Sequence, residues 1–289
     1  MRDELGRTII RPSALASYGD TPRRTAATLF KDEFQAAGYT VNDTPGGIAA
    51  TVGTALHRGA ELLLTDKMKG QYGPGSLSSA TDAAIENLRS NAQRGIIMDA
   101  TSPTVSTAEK QVARMTDCYA QHAVPDIEPI ALEQRLVIDM GDEFVLSGQS
   151  DVVALAPEGC LEDTKTGVVS RTHAAQLGGY TMAQRAHGRD IKFARTRFIQ
   201  RVSIKKDQPP PAVQRYELWA IEPITAIRIR NIKRDLMEFR RLVEVGNADP
   251  ISAFDCNPMS MLCSRKFCGL WGTDGCFEWQ FKEKSDDDA

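Results

Sequence analysis

Asp151, Asp163 and Lys165 fall within one short stretch, SGQSDVVALAPEGCLEDTKTG, residues 147–167. Side chains alternate faces along a strand, so Asp163 and Lys165 point one way while Glu162 and Thr164 point the other. Asp151 opens the preceding run and can lie across from them. Two carboxylates set this way can share a hard divalent cation such as Mg²⁺ or Mn²⁺, which lowers the pKa of a water to make a nucleophile. The ammonium beside them would offset negative charge growing on a phosphoryl transition state. The same short pattern also describes a surface salt bridge in a hairpin, and its spacing alone leaves both readings open. Other groups are paired by helical spacing. His57 and Glu61 stand four apart in TVGTALHRGAELLLTDKM, and Gln176 and Tyr180 four apart in THAAQLGGYTMAQRAHG, so each pair shares a helix face. Cys256, Cys263, Cys268 and Cys276 crowd the C-terminus, which suggests a metal more than crosslinks.

These groups need a frame. From Ile130 the apolar period changes from helical to alternating. IALEQRLVID, EFVLSGQSDVVALA and CLEDTKTG are β-rich runs broken by MGD and PEG, an antiparallel meander. The run holding Gln176 and Tyr180 is helical, IKFARTRFIQRVSI and AVQRYELWAI are strands separated by KKDQPPPA, and ITAIRIRNIKRDLMEFRRLVEVG is a long basic helix. Upstream, RPSALASY is a short helix, 26–37 an amphipathic helix, the run around His57 a strong one, and 107–122 another. Residues 66–104 carry few large apolar groups and read as a surface insertion with one helix near 80–93. The order is helices, a mixed sheet, then helices, an α/β arrangement. One domain over 1–249, with a cysteine-rich segment 250–289 packed on it and ending in the acidic EKSDDDA, is the simplest partition.

The 289 residues are 42% hydrophobic and 25% charged, the balance of an ordinary folded domain. No apolar run approaches the roughly 20 residues that span a membrane, and MRDELGRTIIRPSALASYGD lacks the apolar core of a secretory signal, so a cytoplasmic location is expected. The net charge of −3 conceals a local excess: residues 185–241 hold fifteen Lys and Arg against six acids. Such a segment can follow a phosphate backbone, or it is a solvated face with its acids supplied by the rest of the fold. Phe198, Tyr216 and Trp219 lie beside it, available to stack on bases or to fill a core.

Taken in order, RPSALASYGDTPRR, GTALHRGAEL, LEQRL, LSGQSDVVAL, LEDTKTG and QLGGYTMAQ span 11–184 and resemble the RecB-like branch of the PD-(D/E)XK nuclease superfamily. The nuclease domains of RecB and AddB and the CRISPR-associated and phage-encoded exonucleases belong to that branch. The resemblance implies a restriction-endonuclease-like core, a mixed central β-sheet flanked by helices. It also implies a Mg²⁺- or Mn²⁺-dependent DNA exonuclease acting on single strands or duplex ends in recombination, repair or phage DNA metabolism. By its motifs His57, Asp151, Asp163 and the carbonyl of Thr164 hold the metal, Lys165 is the catalytic lysine, and Gln176 and Tyr180 hold the site and the DNA strand. Glu133 mirrors an acid on the family's first strand, and Glu61 supports His57; both also read as structural. DNA is the implied partner, with a single-strand annealing or recombination protein as a second. Many relatives bind a 4Fe-4S cluster with one N-terminal and three C-terminal cysteines. This chain has Thr21 where the first would stand, so Cys256 would have to join Cys263, Cys268 and Cys276; zinc, or thiols that only pack, are the alternatives. A structure-specific endonuclease uses the same metal core, and a non-catalytic DNA-binding subunit would keep the basic segment without the acids.

Overall fold

The computed structural model of the chain describes residues 2–156, 158–168, 173–205 and 210–276. Strand β1 (Thr8–Ile10) leads into helices α1 (Pro12–Tyr18), α2 (Pro22–Leu29) and α3 (Lys31–Ala36). The single helix expected over 26–37 is thus two. It breaks at Phe30, whose φ of −118° and ψ of 33° leave the helical region. The bend lets Phe30 and Phe34 enter one core.

After β2 (Gly46–Gly47) come α4 (Ile48–Met68), α5 (Pro74–Ala92), β3 (Ile96–Ile97) and α6 (Val105–His122). The Thr104 side chain caps α6 by accepting from the Thr107 N–H at 3.1 Å. Residues 66–104 do more than decorate the surface. Ala80, Ala84 and Leu88 of α5 are fully buried against α4 and α6. Gly59 makes that approach possible, since a Cβ there would stand 3.3 Å from the Ala84 Cβ and 3.2 Å from the Thr116 Cγ2. A segment with few large side chains reads as surface, yet small residues are what let three helices pack closely.

The sheet follows: β4 (Glu128–Gly141), β5 (Phe144–Ala156), β6 (Cys160–Gly167), then α7 (Ala174–Ala186), β7 (Phe193–Gln200), β8 (Val213–Leu218) and α8 (Glu222–Glu244). Strands β4, β5 and β6 pair antiparallel as the meander expects, β6 and β7 pair parallel across the α7 crossover, and β7 and β8 are antiparallel. Strand β5 has β4 along one edge. Its other edge is shared: β1 pairs with it up to Leu146, and β6 takes over at Val152. Residues 147–151 lie in the gap between those two partners.

Helices α4–α6 cover one face of this mixed sheet, over Val152, Ala154 and Cys160; α7 covers the other, over Val153, Leu161 and Ala194. A third cluster joins α1–α3, α8 and the C-terminal segment through Phe30, Phe34, Phe239, Ile251, Phe254 and Leu270. The protein is therefore a mixed α/β fold, a central sheet with helices on both faces. Among the described residues no helix is long and apolar enough to cross a membrane. The acidic C-terminal end lies outside the described residues.

Candidate active site

The sheet's pleat slips where the candidate acids sit. On β4, Ala131 packs toward α7 and Leu132 toward α4, and Gln134 again faces α7, where it accepts a weak 3.5 Å hydrogen bond from Gln184 Nε2. Opposite it on β5, Val153 faces α7, Val152 faces α4, and Ser150 again faces α7, accepting from Gln184 Nε2 at 2.8 Å. Strict alternation would aim Glu133 and Asp151 at α7. Instead both strands miss a beat, and both carboxylates turn toward His57 on α4. The backbone records the distortion: Glu133 has a φ of 47°, rare for a residue with a side chain.

His57 Nδ1 stands 3.1 Å from Asp151 Oδ2, with the His57 side chain 29% exposed. The Thr164 N–H donates to the same oxygen at 2.8 Å, which ties β6 across the gap. Ligand atoms of His57, Glu133 and Asp151 lie within 4.8 Å of one another. Asp163 and Lys165 share a strand face, as their spacing predicts. Lys165 Nζ is 2.9 Å from both oxygens of Asp163, but only Oδ1 lies where the ammonium donates well, so the buried Oδ2 has no hydrogen bond. A buried carboxylate oxygen without a donor is costly unless a cation meets it.

Crowding of charge sets the protonation. Burial opposes charge on His57, but the Asp151 carboxylate outweighs it and lifts the imidazole to about 9. Burial also disfavours ionised Asp151, yet His57, Lys165 and the Thr164 N–H hold it below the usual carboxylate range. Burial and the Asp151 charge push Glu133 up to about 7 and Asp163 up to about 6, the latter against the pull of Lys165. Lys165, disfavoured by burial, is held above its ordinary value by Asp163 and Asp151. Three acids thus compete for two cations. A divalent ion fits this donor set of carboxylates and one imidazole and would relieve the conflict.

Helix α7 supplies the neighbouring polar groups. Gln176 Nε2 donates to the Tyr180 hydroxyl at 3.1 Å, and burial pushes that phenol up to about 12. Tyr180 lies over Gly148, the residue of the motif that has no side chain to obstruct it. Glu61 pairs with Arg58 at 2.7 Å on the exposed side of α4. Gln149, which the sequence reading passed over, donates to Glu133 Oε2 at 2.8 Å. Its position two residues before Asp151 was the available signal.

Among the described residues, much of the local basic excess is buried or paired with acids. Arg195, Arg197 and Arg201 are buried, with Arg197 Nε 2.6 Å from Glu162 and Arg201 Nη2 2.6 Å from Asp99. Arg215, Lys233 and Arg240 pair with Asp126, Asp142 and Glu33. Counting charge along the chain missed these acids because they arrive from other elements. Phe198 is core, while Tyr216 and Trp219 are exposed on β8 and just beyond it, Trp219 stacked on Phe193 at 4.7 Å.

The four C-terminal cysteines do come together. Cys256, Cys263, Cys268 and Cys276 line one pocket, and Thr21, Arg23 and Arg24 of α2 and its N-terminus complete it. Burial raises the Cys268 thiol, with Cys276 and Cys263 adding to the effect.

No family model matches the chain, and none of the curated proteins compared with it matches. Among solved structures, a crystal structure from Eubacterium rectale described as "Putative exonuclease" superposes with a TM-score of 0.52 at 10% identity, over 90% of this chain and 88% of that one. The crystal structure of SSO0001 gives a TM-score of 0.31 at 12% identity, over 80% of this chain and 78% of that one, too slight a likeness to argue from. At 10% identity the first likeness is one of fold: this chain shares the mixed α/β architecture of that protein.

Proposed function

We propose that the chain is a divalent-metal-dependent deoxyribonuclease, an exonuclease that hydrolyses phosphodiester bonds of single-stranded DNA or of duplex ends. One observation carries this reading: His57, Glu133 and Asp151 present ligand atoms within 4.8 Å of one another, beside the Asp163–Lys165 pair. The name borne by the Eubacterium rectale protein supports it. His57, Glu133 and Asp151 are the donors that already stand together, Asp163 and the carbonyl of Thr164 are added by the resemblance and would have to close on the ion, and hard oxygens with one imidazole suit Mg²⁺ or Mn²⁺. Bound there, the ion supplies Lewis acidity toward a phosphoryl oxygen and lowers the pKa of water. Lys165 keeps its proton at neutral pH and places a fixed positive charge where negative charge grows. Asp163 holds that ammonium in place, and Gln176 and Tyr180 orient the strand from the α7 side.

The cysteine pocket is read as an iron–sulfur site that staples the C-terminal segment to α2, with no electron transfer required. Four thiolates on one zinc stand about 3.8 Å apart, given Zn–S bonds of about 2.3 Å. Among the described residues no three of these sulfurs come within 4.8 Å of one another, so they are not arranged around a single zinc ion, and thiols that only pack are the alternative to a cluster. Cys256 takes the place of the ligand that Thr21 cannot supply.

The test uses end-labelled linear DNA and a circular single strand, each with Mg²⁺, Mn²⁺ or EDTA. Linear DNA is degraded only with metal, and the circle survives. Cleavage of the circle overturns the exonuclease assignment, and an inert wild type under all metals overturns the nuclease. Asp163→Ala lowers the cleavage rate by at least about 100-fold while DNA binding in a gel shift persists.

A further inference from the structure

We propose that Gln149 is the residue that positions the Glu133 carboxylate within the metal-binding set, held in a single amide orientation by Arg135. The inference rests on the metal-dependent reading above and adds two residues to it. Glu133 sits at the pleat slip with a φ of 47°, a conformation that persists only where the surroundings hold it. Its carboxylate faces that of Asp151, and repulsion would swing a flexible glutamate side chain out to solvent. Gln149 Nε2 prevents this by donating to Glu133 Oε2 at 2.8 Å.

An amide has two ends, and the wrong one would set an acceptor oxygen against a carboxylate. Arg135 decides between them. It is the Cα partner of Gln149 across the β4–β5 ladder, and its Nη2 donates to Gln149 Oε1 at 3.3 Å. A guanidinium has donors only, so it takes the amide oxygen and leaves the NH₂ for Glu133. The pleat slip brings the three side chains onto the face that holds His57. Without it Glu133, Arg135 and Gln149 would all point to α7, away from His57.

The experiment is a calorimetric titration of the full-length protein with Mn²⁺ in the absence of DNA, with thermal melts alongside. Gln149→Leu and Gln149→Met weaken Mn²⁺ binding by roughly 10- to 100-fold with melting unchanged, the range for residues that orient a metal ligand. Arg135→Met weakens it by about threefold, and the double variant binds no worse than Gln149→Leu, because both residues act through one chain of hydrogen bonds. Wild-type affinity in either Gln149 variant overturns the proposal, as do melts of both variants well below the wild type. Additive losses in the double variant remove Arg135 from it. A wild type that binds no Mn²⁺ overturns the metal-dependent reading and this inference together, whereas normal wild-type binding with unaffected variants overturns this inference alone.

Discussion

Glu133 is where protonation and stability meet. Its folded pKa of about 7 lies above the ordinary 4.5, so the folded state holds this proton more tightly than the unfolded chain does. The stability it contributes is complete below about pH 4.5 and is lost as the pH rises through 7. Ionised beside Asp151 at pH 8, it costs roughly 1–3 kcal/mol after allowance for partial exposure. Glu133→Gln therefore melts at a higher temperature than the wild type at pH 8 in EDTA, and the gap closes at pH 5. An equal gap at both pH values would show that this charge does not strain the site. On the metal-dependent reading Mn²⁺ displaces the protons on His57 and Glu133, so its dissociation constant falls by at least about tenfold from pH 6 to pH 8, measurable by the same calorimetry. The Asp163–Lys165 pair is legible in the sequence because strand alternation is a local rule, and Asp151 is brought near it by a hairpin, although alternation alone would have turned Asp151 to the other face. Gln149 is marked in the sequence only by standing two residues before Asp151, and what it touches appears only once β4 supplies Glu133 and Arg135 beside it.

Between elements, the decisive feature is the gap in the β5 edge. Among the described residues no strand pairs with 147–151 on that side, and α1 and α7 pack over this stretch with Gly148 as the point of contact. A Cβ there would stand 2.7 Å from Pro12 Cγ and 2.8 Å from Tyr180 Cε1. Gly148→Ala should cost about 1–3 kcal/mol in a urea titration, as an overpacked contact does, and reduce cleavage further by displacing Tyr180. Gly46→Ala, with open space around that glycine, is the control and leaves both measurements unchanged. A Gly148→Ala protein as stable and active as the wild type would mean that Tyr180 has room to shift. The helices and strands themselves follow from apolar periodicity nearly throughout. The break at Phe30 and the buried face of α5 do not, because both depend on which surface the helix meets.

At the scale of the molecule, charge and cysteines show opposite lessons. The basic excess over 185–241 is largely paired with acids from β6, α3 and the segments around residues 99, 126 and 142, so on the proposed nuclease reading the surface that meets DNA is sought around His57, Glu133 and Asp151. The four cysteines, loosely spaced in sequence, converge on one pocket with Thr21. Protein purified without oxygen should show the broad visible absorption of an iron–sulfur cluster, and Cys268→Ser should lose it together with several degrees of melting temperature. A colourless protein carrying zinc or no metal would overturn the cluster assignment.

The sequence by itself determined the order of elements, the α/β class, and the carboxylate and lysine pair on β6, all consequences of local periodicity and of one hairpin. Only the tertiary structure decided that Glu133 and Asp151 turn together toward His57, that Gln149 and Arg135 stand behind them, and that acids from outside the basic segment pair with part of its charge. Those outcomes depend on which distant segments become neighbours, and a side chain's partner across a sheet or under a helix is set by packing that no stretch of chain encodes alone.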